Sequence, residues 1–347
     1  MNYSIVVPVY NRPDEVDELL ESLCSQTLKD FEVVIVEDGS QKPCKDVCDK
    51  YANILNLHYY YKDNSGPGQS RNYGVEHANG DYVIILDSDV VLPEGYMMAI
   101  NSQLSTSNFQ PVCWGGPDAA HPSFTPIQKA ISYSMTSFFT TGGIRGGKKK
   151  LDKFYPRSFN MGIRKDVYLQ LGGFSKMRFG EDIDFSYRMV EAGYQPQLFP
   201  DAWVWHKRRT DFRKFFRQVY NSGIARINLE KRHPGTMKLV HLLPMVFTVG
   251  VIALILISAV GRALMHYVDR DQFYWMCFAP WLPLLLYSLV ILIDSTIQNK
   301  SLKVGLLSVP AAFVQLMGYG FGFIEAWWKR CVQRKDEFQA FEKTFYQ

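Results

Sequence analysis

Four runs of β-prone apolar residues precede Asp87, and each of the first three is followed by a stretch with helical spacing. Ser4 to Val9 and Phe31 to Val36 are continuous and β-branched, the pattern of strands buried on both faces of a parallel sheet. Pro13 opens an amphipathic helix with Val16, Leu19, Leu20 and Leu23 on one face. A short helix is expected around Lys45 to Tyr51, a third strand over Leu57 to Tyr61, and a helix after Gly66-Pro67-Gly68. Gly80 ends that helix, and Tyr82 to Leu86 is the fourth strand. Strands alternating with helices predict an α/β domain with a Rossmann-like, mainly parallel sheet.

The pattern changes near Pro234. Leu242 to Val260 holds 19 residues without a charge, and Phe273 to Ile293 holds 21; each is long enough to span a bilayer. Val304 to Ile324 also lacks charge but is rich in Gly and small residues. With no export signal, the N-terminal domain is expected in the cytoplasm. Three spans would then put Lys329, Arg330, Arg334 and Lys335 outside, against the preference of positive charge for the cytoplasmic side. The third segment is therefore the suspect for a helix that does not fully cross. The expected division is 1–210 catalytic, 211–236 a basic amphipathic interfacial stretch, and 237–347 a membrane region of two or three apolar helices with a basic tail.

Composition adds little beyond this. A net charge of +4 over 347 residues gives no case for nucleic acid. The six cysteines lack metal-finger spacing, and packing explains Cys44 and Cys48. A reducing compartment fits them.

The candidate chemistry sits at strand ends. Asp38 ends the second strand, and Asp87-Ser88-Asp89 ends the fourth. Ligands of open parallel sheets bind beyond the carboxyl ends of the strands. Carboxylates converging there repel one another unless a cation or hydrogen-bonding ligand is present. They could hold a divalent cation, Mg2+ or Mn2+, against a phosphate-bearing substrate. A dinucleotide-binding domain would need Gly-x-Gly-x-x-Gly after the first strand, where this chain has Pro8-Val9-Tyr10-Asn11-Arg12-Pro13.

Ser4-Ile5-Val6-Val7-Pro8-Val9-Tyr10-Asn11 followed by Val36-Glu37-Asp38-Gly39-Ser40 resembles the opening of glycosyltransferase family 2. Ser70-Arg71-Asn72-Tyr73-Gly74, Asp87-Ser88-Asp89, Ser158-Phe159-Asn160-Met161-Gly162 and Gly180-Glu181-Asp182 resemble later blocks in the family's order. The resemblance implies a GT-A fold, here followed by a C-terminal helical transmembrane region. It implies inverting transfer of a sugar from a nucleotide-diphosphate sugar of UDP or GDP type.

On that resemblance Pro8 and Tyr10 would contact the nucleoside, and Asp38 the nucleobase, with an Asx-turn through Gly39-Ser40 as the plain alternative. Arg71 would meet phosphate or base, or be a solvated helix arginine. Asp87 resembles a ribose or metal contact, Ser88 lies beside it on the donor side, and Asp89 resembles the metal ligand. Asp182 is the expected general base, held ionised by a helix N-terminus, with Glu181 its rival and a helix cap the alternative. Asn160 falls in the acceptor-side block. His206 is either a metal or diphosphate contact or an ordinary strand-end residue.

Asp211 to Arg232 interleaves aromatics with cations, which suits an anionic membrane surface or a core-facing helix. Pro122 to Phe139 offers the same two readings. Gly142 to Lys150 reads either as a mobile basic loop that covers the donor or holds an acceptor phosphate, or as a plain solvated loop. The likeness extends to membrane-associated family members of exopolysaccharide and lipid-linked glycan assembly. Processive synthases carry Gln-x-x-Arg-Trp where this chain reads Gln218-Val219-Tyr220-Asn221-Ser222. The expected acceptor is therefore a membrane-associated, polyprenyl-diphosphate-linked saccharide at the cytoplasmic membrane. Polyprenyl monophosphate is the alternative acceptor. A non-catalytic nucleotide-sugar-binding or scaffold protein is the alternative of another class.

Overall fold

The computed structural model describes residues 1–106, 111–141, 154–177, 179–264 and 278–340. The chain divides into two compact units: Met1–Pro122 with Asp152–Lys207, and Ser123–Leu151 with Arg208–Gln347. The Gly142 to Lys150 loop and Cys277 lie outside the described residues.

The first unit is built on a seven-stranded sheet. Its strands are β1 (Tyr3–Val9), β2 (Phe31–Asp38), β3 (Asn56–Lys62), β4 (Tyr82–Leu86), β6 (Cys113–Gly115), β8 (Asn160–Arg164) and β9 (Gln197–Leu198). They run in the order β3-β2-β1-β4-β8-β6-β9. The first four are parallel, and β8 is antiparallel to both β4 and β6. A small sheet joins β5 (Val90–Val91), β10 (Val204–His206) and β7 (Asp118–Ala119).

Alternate side chains of β1 feed two separate cores. Ile5, Val7 and Val9 pack with Leu19, Leu20 and Leu23 of α1 (Pro13–Cys24). Val6 packs on the other face with Val34, Val36 and Val75. Burial of each large aliphatic contributes about 1.5–3 kcal/mol, which is why these runs carry almost no polar positions. Cys44, at the N-cap of α2 (Lys45–Tyr51), and Cys48 within it are buried thiols in contact with each other and not disulfide-bonded. The helix α3 (Pro67–His77) lies close on the sheet because Gly74 faces Val6, where a Cβ would collide with the valine side chain. The remaining helices of this unit are α4 (Tyr96–Thr106), α7 (Lys165–Gln170) and α8 (Glu181–Glu191).

The second unit is helical. It contains α5 (Pro126–Thr136), α6 (Phe138–Thr141), α9 (Phe212–Arg232), α10 (Leu243–Leu264), α11 (Leu282–Asn299) and α12 (Leu302–Trp327). Among the described residues, three helical stretches, Leu239–Ala263, Ala279–Asn299 and Leu302–Val332, are long and apolar enough to cross a membrane. The second begins later than the apolar run starting at Phe273, whose residues up to 277 lie outside the described ones. Within α9, Phe215, Val219, Ile224 and Ile227 are buried, while Arg213, Lys214, Lys231 and Arg232 are exposed. The helix is thus a packing element with cations at both ends, not a freely exposed basic face. Most of α5's apolar face is buried too: Ile131 and Met135 pack with Phe215 and Val219.

Candidate active site

The site forms where β4 ends. Beyond Leu86 the chain turns through Asp87, Ser88 and Asp89 into β5, which pairs antiparallel with β10 so that Val90 lies opposite His206. This register delivers His206 to Asp89, with Nε2 3.2 Å from Oδ1. Phe159, at the entry to β8, stacks on the imidazole at 4.7 Å between centroids and an interplanar angle of 28°. Ligand atoms of Asp87, Asp89 and His206 all lie within 4.8 Å of one another, and all three residues are half-buried. Two hard carboxylate oxygens and one imidazole fit a small divalent cation of the Mg2+ or Mn2+ kind.

Three arginines hold the four acidic groups, and Arg71 holds two of them. Asp89 Oδ2 lies 3.0 Å from Arg12 Nη1, which also meets Glu15. Asp87 Oδ1 lies 2.7 Å from Arg71 Nη2, and Glu181 Oε1 lies 2.9 Å from Arg71 Nη1. Asp182 Oδ2 lies 2.9 Å from Arg157 Nε, while its Oδ1 accepts from the Ile183 amide at 2.9 Å. Arg12 directly follows Tyr10-Asn11 and could have been suspected. Arg157 directly precedes the Ser158-Phe159-Asn160 block, and the fold brings it to Asp182 through the segment entering β8.

Several expected donor contacts occupy other positions. Arg71 is neither solvated nor turned outward: its side chain is 4 % exposed, over the Phe174 ring, and spans two carboxylates. Asp38 does not close an Asx-turn on Gly39-Ser40. It is buried, and its oxygens accept from the Ser65 and Gly66 amides at 2.9 Å each and from Lys62. It thereby ties the end of β2 to the loop before α3. Asn160, expected toward the acceptor, is 1 % exposed. It accepts from the Tyr96 hydroxyl at 2.7 Å and donates to the Ala202 carbonyl at 2.8 Å, so it is a tie inside the sheet. Ser88 is buried, whereas Pro8 and Tyr10 are half-exposed at the end of β1. Asn11, next to Tyr10, takes a left-handed conformation (φ 55°), and its side chain accepts from the Gln41 and Lys42 amides.

Burial pushes the Glu181 carboxyl up, to about 7; Arg71 pulls it back, and the neighbouring Asp182 charge adds to the rise. A carboxyl raised by folding stabilises the native state through its protonated form. That contribution is full below its ordinary value of 4.5 and is lost as pH rises through about 7. Glu181→Gln stays neutral throughout, so its melting temperature relative to the native chain should climb between those pH values. A pH-independent difference would show that Glu181 is not held this way.

The family model described as "Glycosyl transferase family 2" matches residues 4–169. An uncharacterized glycosyltransferase of Rickettsia felis is 38 % identical over 86 residues, 25 % of this chain and 14 % of that protein. The pre-mycofactocin glycosyltransferase of Mycobacterium tuberculosis is 25 % identical over 279 residues, 75 % of this chain and 53 % of that protein. This chain thus spans from about a seventh to about half of these curated relatives' length. Among solved structures, the mannosyltransferase PcManGT from Pyrobaculum calidifontis, in complex with GDP-Man and Mn2+, superposes with a TM-score of 0.57. The match covers 94 % of this chain and 87 % of that one at 13 % identity, a likeness of fold.

Proposed function

We propose, from the premise that this chain belongs to glycosyl transferase family 2 through a GT-A domain whose family match covers residues 4–169, that it is an inverting, metal-dependent hexosyltransferase. The donor is a nucleotide-diphosphate sugar. The acceptor is a membrane-associated, lipid-linked saccharide, since three helices with the length and apolarity of membrane spans follow the domain in the same chain. The catalytic domain then works at the cytoplasmic face of the membrane.

The observation that carries this reading is the Arg71 bridge. One buried guanidinium joins Asp87 of the Asp87–Asp89–His206 cluster to Glu181, the neighbour of Asp182. Groups suited to a diphosphate–metal complex and a carboxylate suited to accept a proton therefore share one site. Asp87, Asp89 and His206 would hold the cation, which when bound neutralises charge on the departing diphosphate. Asp182 takes the proton of the acceptor hydroxyl as its oxygen bonds to the anomeric carbon from the face opposite the phosphate, whose C–O bond breaks. Arg157 and the Ile183 amide hold the two Asp182 oxygens in place for that task. Of the two carboxylates, Glu181 is the weaker candidate because its oxygen is committed to buried Arg71.

A panel of UDP, GDP and dTDP sugars with Mn2+, with and without membrane extract, tests the reading. At least one donor should turn over, chelator should abolish turnover, and Asp89→Asn should weaken Mn2+ binding by about 10-fold or more. No turnover with any donor, together with unchanged nucleotide binding in Asp182→Asn, would leave a non-catalytic binding protein.

A further inference from the structure

The three apolar helices meet along α12. α10 and α11 touch at two points: Trp281, just before α11, donates from Nε1 to Ser258 Oγ at 2.7 Å, and the rings of Phe247 and Tyr287 meet. Both meet α12 at its middle, where Phe313 contacts the rings of Phe247 and Tyr287. From there the pair splays along α12. The end of α11 follows α12 toward its start: Ser295 and Ser308 hydroxyls lie 2.7 Å apart, and Gly305 faces the Leu292 carbonyl. The start of α10 follows it toward its end, with Gly320 against the Pro244 carbonyl. α12 is therefore a crossbar joining the start of one arm to the end of the other. In a hairpin that crosses a bilayer and returns, those two points lie on one membrane face.

A second observation agrees. α9 runs beside α12 in the same direction. Phe212 packs near Ala311, Gly318 faces Val219, Gly322 faces the Tyr220 carbonyl, and Ile227 packs with Phe323. α9 carries Arg213, Lys214, Arg217, Arg226, Lys231 and Arg232. A cation at mid-bilayer costs at least about 2.5–3.5 kcal/mol, so α9 cannot lie in hydrocarbon, and neither can a helix sheathed by it along this length. The chain after α12 then returns over α9: Asn221 exchanges two hydrogen bonds with the Ala340 backbone, and Arg232 pairs with Glu337 at 2.8 Å. By contrast, α10 and α11 expose large apolar residues along their whole lengths, from Leu243 and Val246 to Leu256 and Val260 and from Leu282 and Leu285 to Ile293 and Ile297, an apolar surface that lipid tails would cover.

We infer that, among the described helices, α10 and α11 alone cross the bilayer, and that α12 lies along the headgroup face as a membrane-bound crossbar. Lys300 and Cys331 then sit on one side of the membrane, the side of α9. This places the cations of the C-terminal segment where the charge preference wants them. The inference does not rest on the enzymatic reading, and an inactive chain could satisfy it.

The test uses sealed vesicles of both orientations and a membrane-impermeant maleimide. Cys331 is exposed and free, and Lys300→Cys adds an exposed thiol at the α11–α12 turn. In the chain with its other cysteines changed to serine, both thiols should be modified from the same side, with loss of labelling from the other. Should that background fail to fold, peptide mapping of Lys300→Cys with native cysteines gives the same reading, because Cys331 and position 300 fall in separate peptides. Modification of the two positions from opposite sides overturns the inference and makes α12 a third span.

Discussion

Asp182→Asn is expected to lower kcat by about 10²- to 10⁴-fold, the usual contribution of a positioned general base. Nucleoside diphosphate binding should change little. The substitution is nearly isosteric, and Asn keeps an oxygen for the Ile183 amide, so α8 retains its start. What disappears is the charge that faces Arg157 and the capacity to take a proton. Turnover by a quenched single-cycle assay, paired with calorimetric titration of the nucleotide in Mn2+, separates the two effects. If Asp182 were only a helix cap, Asn would serve as well, since Asn and Asp cap comparably. Retention of more than about a tenth of native turnover would remove Asp182 from the proton-transfer role. Glu181→Gln, tested alongside, should leave more activity than Asp182→Asn.

The largest loss of stability is expected from Arg71→Met. The native guanidinium is almost wholly buried and faces two carboxylates, Asp87 and Glu181. A buried ion pair contributes little net energy when intact, because desolvation offsets attraction. Removing one partner is different: it leaves uncompensated charge behind, at a cost of about 3–5 kcal/mol. Glu181 would escape part of this by taking a proton, since burial already pushes its carboxyl up. Asp87 is partly exposed and would keep some solvation. The melting temperature should therefore fall by roughly 6–20 °C. Arg71→Met combined with Glu181→Gln should recover part of the loss, because it removes the buried acid as well. A double variant no more stable than the single would mean that the Glu181 charge is not what the arginine compensates.

These two residues also mark what could be read in advance. Asp182 is picked out as the candidate base by the Gly180-Glu181-Asp182 block and the helix that follows, both local features. Arg71 is picked out as a contact to phosphate or base; the structure adds two carboxylate partners, Asp87, 16 positions away, and Glu181, 110 positions away. Asp38 and Asn160 show the same limit. Each lies in a recognisable block, and each has its hydrogen bonds taken up inside the protein by segments its own neighbourhood does not reveal.

The chain by itself determined the alternation of strands and helices, the acids beyond the strand ends and the three apolar stretches. These follow from burial periodicity and side-chain polarity, which act residue by residue along the chain. Only the tertiary structure decided which arginine neutralises which carboxylate, that His206 joins Asp87 and Asp89, and where α12 packs against α9, α10 and α11. The physical reason is the same each time. Ion pairs, ligand clusters and helix crossings are set by distances in space between segments far apart in sequence. Strand register places Val90 opposite His206, and close contacts at Gly305, Gly320 and Gly322 let α12 meet its neighbours. Neither pairing leaves a mark in the spacing of the residues that make it.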